Sequence, residues 1–147
     1  MNLFTIGYEG LSFNSFVKYL KSLNIVTVFD VRKNPVSRKK GFSKEKLNEG
    51  LILSKIHYVH LSELGTPKLL RDELRRKKDY LEFFQKYNII LSTKLQCLDA
   101  ILDTLKNENV ALMCFEKDPF KCHRSAIALK IKERSNNGIV IRNIRTS

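Results

Sequence analysis

The stretch Ile25-Val26-Thr27-Val28-Phe29-Asp30-Val31-Arg32 decides the fold. As far as Val31 it is β-branched or aromatic at nearly every position, with no alternation of polar and apolar residues. A strand with one face in water alternates, whereas one that does not is covered on both faces, as in a parallel sheet. On its N-terminal side, residues 3–7 are a shorter apolar run ending in Gly7 and read as a first strand. Between the two runs, Ser12 opens a helix to about Leu23, with Phe13, Phe16, Val17, Leu20 and Leu23 at helical spacing. On the C-terminal side, Pro35 and Gly41 break residues 34–42 into a loop, Ser43 caps a helix to about Leu53, and residues 56–61 form a third strand.

Beyond a loop at residues 64–68, marked by Gly65 and Pro67, residues 69–107 read as helical, with a break expected near residues 87–92. Residues 110–115 are a fourth strand, 117–121 a tight loop and 123–134 a helix. Asn136, Asn137 and Gly138 stop that helix, because they tolerate left-handed backbone, and residues 139–144 are the last strand. Strands alternating with helices imply one α/β domain over residues 1–147: an open, mostly parallel, Rossmann-like sheet of about five strands with helices on both faces.

Composition narrows the function classes. With 147 residues, 43% of them hydrophobic, the chain has enough apolar material for a real core. Its 27 Lys and Arg against 15 Asp and Glu give a net charge of +12. Such an excess favours a polyanionic partner, nucleic acid and DNA in particular, through counterion release and steering. Lysine-rich codon usage is the competing explanation. The cysteines, Cys97, Cys114 and Cys122, are odd in number, and Met1 leads straight into a strand pattern without a signal peptide. Free thiols and a cytoplasmic location are therefore expected. No apolar run reaches the ~20 residues that span a bilayer, so no membrane partner is expected.

In open parallel sheets the site lies outside the carboxyl ends of the strands. Here those ends carry Tyr8 and Glu9, then Asp30 and Arg32, then His60, then Cys114 and Glu116. This convergence points to one site. Asp30 and Arg32 share a face of their strand, as a poised carboxylate with an anion anchor or as a structural ion pair. The following loop adds Ser37, Arg38, Lys40 and Phe42, cations and an aromatic suited to following phosphates, or else a solvated basic loop. Cys122, His123 and Arg124 open a helix, whose positive end favours anions and lowers a thiol pKa. Equally, Cys122 can pack as a small hydrophobe.

Several sharper signatures are missing. The spacing of Cys114 and Arg124 does not fit a C-x5-R phosphate loop, and no C-x-x-C supports a structural zinc site. After Pro119 the second cysteine of a zinc deaminase is lacking. Neither a P-loop nor G-x-G-x-x-G occurs.

Taken together, Thr5-Ile6-Gly7-Tyr8, Asp30-Val31-Arg32 with Pro35 and Ser37-Arg38, Gly41-Phe42, Tyr58-Val59-His60, Leu64-Gly65, and Leu112-Met113-Cys114 with Glu116, Pro119, Cys122, His123 and Arg124 resemble a prokaryotic domain family of unknown function, number 488. The resemblance runs from about Leu3 to Ile144 and implies the fold and the position of the site. The charged region between Leu70 and Tyr87 departs from it, and Tyr8 stands where many relatives carry a histidine.

The residues suggest a hydrolase acting on nucleic acid, cleaving the N-glycosidic bond between base and sugar. Asp30, Glu116 and Glu9 are the candidate catalytic carboxylates, which activate water or stabilise an oxocarbenium-like charge. Tyr8 and Phe42 would stack an extruded base. Arg32, Arg38 and Arg124 would hold phosphates, and Ser37, Lys40, His60, Cys114, Cys122 and His123 complete the substrate-binding set. No cofactor and no metal are expected. The alternatives are a Mg²⁺-dependent nuclease or phosphohydrolase using Glu9, Asp30 and Glu116, a non-catalytic nucleic-acid-binding module, and thiol chemistry at Cys122.

Overall fold

The computed structural model describes residues 1–146. Strands β1 (Asn2–Gly7), β2 (Ile25–Asp30), β3 (His57–His60), β4 (Asn109–Cys114) and β5 (Val140–Asn143) form one sheet in the order β3-β2-β4-β1-β5. Every pairing in it is parallel. The connections carry α1 (Phe13–Ser22), α2 (Lys44–Leu53), α3 (Lys68–Lys77), α4 (Tyr80–Leu91), α5 (Leu95–Leu105) and α6 (Arg124–Arg134).

The two faces of the sheet can be read along β4. Val110, Leu112 and Cys114 point into one core, with Phe83, Tyr87 and Leu91 of α4, Leu98 and Ile101 of α5, and Ile127 and Ile131 of α6. Ala111 and Met113 point into the other, with Phe16 and Leu20 of α1 and Leu47 and Leu51 of α2. That alternation is the period-two geometry of a strand, and helices on both faces explain why β2 and β4 contain no exposed position. The edge strands β3 and β5 are short and partly exposed, which limits the open edge available for pairing with another chain. No helix among the described residues is long and apolar enough to cross a membrane.

Local signals act largely as expected. Ser12 caps α1 by accepting from the Ser15 backbone N–H at 3.1 Å. Asn136 and Asn137 end the last helix with positive φ. Two details differ. Ser43 precedes α2 but does not cap it with its side chain. Its hydroxyl instead pairs with both backbone groups of Ser37 and closes the loop on itself. The break expected at residues 87–92 is two breaks: Lys78 takes left-handed backbone and Asp79 caps α4, and a second turn follows Leu91. Tyr87 is therefore interior to α4, where burial and a 2.6 Å hydrogen bond from its hydroxyl to the Leu64 carbonyl hold it.

Gly7 ends β1 where the backbone carbonyl of Glu116 crosses it, so closely that any Cβ would collide with that carbonyl. The obstacle is backbone and cannot rotate away. Gly7→Ala is expected to cost about 3 kcal/mol or more, at the upper end of overpacking penalties. Urea unfolding at constant m-value measures it.

Candidate functional site

The loops leaving β1, β2 and β4 enclose a cleft of about 1000 Å³ at the carboxyl edge of the sheet. Its wall includes Tyr8 after β1, Arg32, Lys33, Ser37 and Arg38 after β2, and Cys114, Phe115 and Glu116 at the end of β4. Lys121, Cys122 and His123 close it below α6, and Arg71, Arg75, Lys78 and Tyr80 close it from the α3–α4 side. Among the described residues lining the cleft, Arg32, Lys33, Arg38, Arg71, Arg75, Lys78 and Lys121 are cationic and Glu116 is the one carboxylate.

Asp30 lies behind this wall and is not part of it. Its side chain has no exposed surface. Oδ1 accepts from the Arg32 backbone N–H at 3.1 Å and from Arg32 Nε at 2.9 Å, while Oδ2 accepts from Arg32 Nη2 at 2.7 Å and from the Tyr58 hydroxyl at 2.6 Å. Burial opposes the charge of Arg32, but Asp30 outweighs it and the guanidinium pKa is raised. Burial and the adjacent Asp30 raise the Tyr58 pKa. Asp30 thus fixes Arg32, and Arg32 reaches forward to donate to the Tyr8 hydroxyl at 3.0 Å.

The stacking role expected for Tyr8 and Phe42 does not survive the packing. Phe42 is fully buried and stacks on Tyr8 at 4.4 Å with rings 7° from parallel. Arg32 lies over the Tyr8 ring at 5.3 Å from its centroid. These contacts leave Tyr8 3% exposed. The aromatic that the cleft presents to solvent is Phe115, 45% exposed and edge-on to Tyr8.

Arg124 is fully buried beneath the floor. Nε donates to Thr5 Oγ1 at 3.2 Å, Nη1 to the Glu116 carbonyl at 2.5 Å and Nη2 to the Lys117 carbonyl at 3.2 Å. Nη1 also lies 3.0 Å from Cys114 Sγ. Burial lowers its pKa to about 10, so it stays charged at neutral pH. Its donors are engaged by protein, which makes it a clamp on the β4–α6 loop and not the phosphate anchor expected of it.

Two of the three cysteines come together in the structure. The sulfurs of Cys114 and Cys122 meet, because the end of β4 and the turn before α6 converge on the same floor. Cys97 is free, distant in α5 and 3.2 Å from Glu63 Oε2. Cys114, Cys122 and Glu116 bring one donor atom each within 4.8 Å of one another, the described grouping closest to a metal cradle. Glu116 is half-buried, and burial raises its carboxyl pKa.

His123 donates from Nε2 to the Val31 carbonyl at 2.6 Å, because a carbonyl only accepts. That fixes the tautomer and leaves Nδ1 as the lone-pair nitrogen, 3.7 Å from Cys122 Sγ. Burial lowers its pKa to about 4, so the ring is neutral.

The remaining expected residues separate. Ser37 and Arg38 line the cleft, whereas Lys40 and His60 do not. His60 Nε2 donates to the Arg32 carbonyl at 2.8 Å and steadies the same turn. Glu9 accepts the Lys117 backbone N–H at 2.8 Å, outside the cleft. The Mg²⁺ site built from Glu9, Asp30 and Glu116 therefore does not assemble: Asp30 is committed to Arg32 and Tyr58, and Glu9 to the loop. Sequence reasoning missed Lys33 and the α3 group, Arg71, Arg75 and Lys78. The last three follow one another at i, i+4 and i+7, a one-face spacing that was readable in the charged region. Arg71 Nε is buried without a hydrogen-bond partner, so a guanidinium donor remains to be satisfied there.

The family model described as Domain of unknown function DUF488 matches residues 12–131. No curated protein and no solved structure matches the chain.

The buried His123 makes stability depend on pH. Its folded pKa, about 4, lies below the ordinary 6.5, so between these values the unfolded chain takes up a proton that the folded one refuses. The His123 contribution is full above pH 6.5 and is lost as pH falls towards 4, at most about 3 kcal/mol. Unfolding free energies measured across that window should fall with pH, and His123→Gln, which keeps a donor for Val31, should flatten this part of the slope.

Proposed function

The chain belongs to the DUF488 family, and because that description assigns no activity we propose a function from the cleft: the domain binds nucleic acid there, DNA in particular, and hydrolyses the bond between a base and its sugar. The observation that carries this reading is the charge of the lining, seven cationic side chains against the single carboxylate of Glu116. A cleft walled by one sign of charge focuses its field and draws in a polyanion, which releases counterions on binding. Arg71, with its unsatisfied Nε, suits a flanking phosphate. Phe115 offers the exposed ring against which an extruded base can lie.

Glu116 is the candidate catalytic residue. Burial raises the pKa of this half-buried carboxyl, the direction a proton donor needs. In the proposed reaction it gives its proton to the departing base as the C–N bond breaks. As a carboxylate it then orients the water whose oxygen bonds to the sugar carbon and recovers a proton from that water.

Two measurements test the reading. Affinity for single- and double-stranded oligonucleotides should fall steeply with salt. Changing Arg71 and Arg75 together to alanine should reduce the slope of log K against log salt by about two. Binding that ignores ionic strength would overturn the nucleic-acid assignment. Release of base from oligonucleotides carrying modified bases should drop about 10²-fold or more in Glu116→Gln, with binding kept. Salt-sensitive binding without any base release would make the domain a non-catalytic binding module.

A further inference from the structure

We propose that Cys114 and Cys122 form a thiol–disulfide exchange centre whose reaction partner is a small anionic thiol. The inference does not depend on the nucleic-acid reading. It starts from position. The two cysteines lie on the cleft floor, 1% and 2% exposed, so an attacking sulfur reaches them through the cleft. That route favours a small molecule over the thiol of another protein. The route passes Lys33, Arg71, Arg75 and Lys121, which favour a molecule carrying carboxylate, sulfonate or phosphate groups.

The surroundings of the two sulfurs differ, and the difference gives the reaction a direction. Arg124 Nη1 lies 3.0 Å from Cys114 Sγ and, although Glu116 Oε2 stands 3.4 Å from the same sulfur, favours a thiolate there, which makes Cys114 the leaving group. His123 Nδ1 lies 3.7 Å from Cys122 Sγ, with its lone pair free because Nε2 is held by the Val31 carbonyl. An incoming thiolate, its proton left with solvent, bonds to Cys122 Sγ. The Cys114–Cys122 bond breaks and its electron pair leaves on Cys114. A second thiol attacks the small molecule's sulfur in the mixed disulfide and releases Cys122. Two thiols become one small disulfide, and their two electrons and two protons pass to the cysteine pair. The reverse reaction, with the small disulfide as oxidant, rebuilds the bond.

Glu116 lies inside the ring that this bond closes, between Cys114 and Cys122, and its carbonyl is held by Arg124. Opening the bond frees the loop that carries the cleft's only carboxylate among the described residues, so the redox state of the pair reaches the site directly.

The test uses the oxidised full-length chain and three thiols of similar size and different charge: 2-mercaptoethanesulfonate, 2-mercaptoethanol and 2-mercaptoethylamine. Reduction is followed by alkylation and peptide mass analysis, and each rate is divided by that thiol's rate on a small-molecule disulfide. The normalised rate of the anionic thiol should exceed that of the cationic one by about tenfold or more at low salt, within the range of electrostatic steering. The advantage should shrink as salt rises and in the Arg71→Ala/Arg75→Ala variant, and should be unchanged in Cys97→Ser. Equal normalised rates would overturn the partner assignment. Failure of the small disulfide to link Cys114 to Cys122 would overturn the centre itself. So would a reduced chain whose two cysteines bind Zn²⁺ and no longer reoxidise, since the pair would then be a metal site.

Discussion

A guanidinium without exposed surface holds the site together. Arg124 projects from the first turn of α6 into the gap between β1 and the loop that follows β4. It ties Thr5, Glu116 and Lys117 to one another through their oxygens. Burying an ion is costly unless its donors are met, and here two backbone carbonyls, a hydroxyl and the Cys114 sulfur meet them. The same constraint explains Gly7. The Glu116 carbonyl that receives Arg124 passes over β1 at the one position where a side chain would block it. Loop, strand and helix therefore share one fixed geometry, and the floor of the cleft is its upper surface.

A second buried charge acts in the opposite direction, outward. Asp30 spends its hydrogen-bonding capacity on Arg32 and Tyr58, and so it orients a cation that faces the cleft. The distinction between these arginines is one of satisfaction. The donors of Arg124 are absorbed by the protein. Arg32 also spends Nε, Nη1 and Nη2 on Asp30 and Tyr8, although it stands on the cleft wall, whereas Arg71 keeps a donor unmatched. A buried, unmatched donor is a standing cost that an anionic ligand removes.

The cationic wall is also built so that it does not neutralise itself. The acidic residues of α3 are turned to other partners: Asp72 pairs with Lys68, and Glu73 with Lys77 and Lys86. Arg71, Arg75 and Lys78 are left on the cleft side. In this chain the formal charge of +12 is thus partly sorted in space, which a total cannot express.

By itself the sequence determined the sheet, the helix order and the edge at which the strand-end loops gather. Those features follow from local physics: unbroken apolar strands need cover on both faces, and loops after parallel strands share one end. It also placed Arg32, Cys114, Glu116 and His123 at one edge, and these residues line one cleft. What it could not determine was which side chains the neighbours would use up. Asp30, Phe42, Tyr8 and Arg124 have the chemistry of site residues, and each is consumed by a partner distant in sequence or held across a loop. The meeting of Cys114 with Cys122 and the arrival of α3 over the cleft were likewise decided by tertiary structure. Periodicity records which way a residue points along its own element; whether its charge or ring remains available depends on atoms that only the packed chain brings within reach.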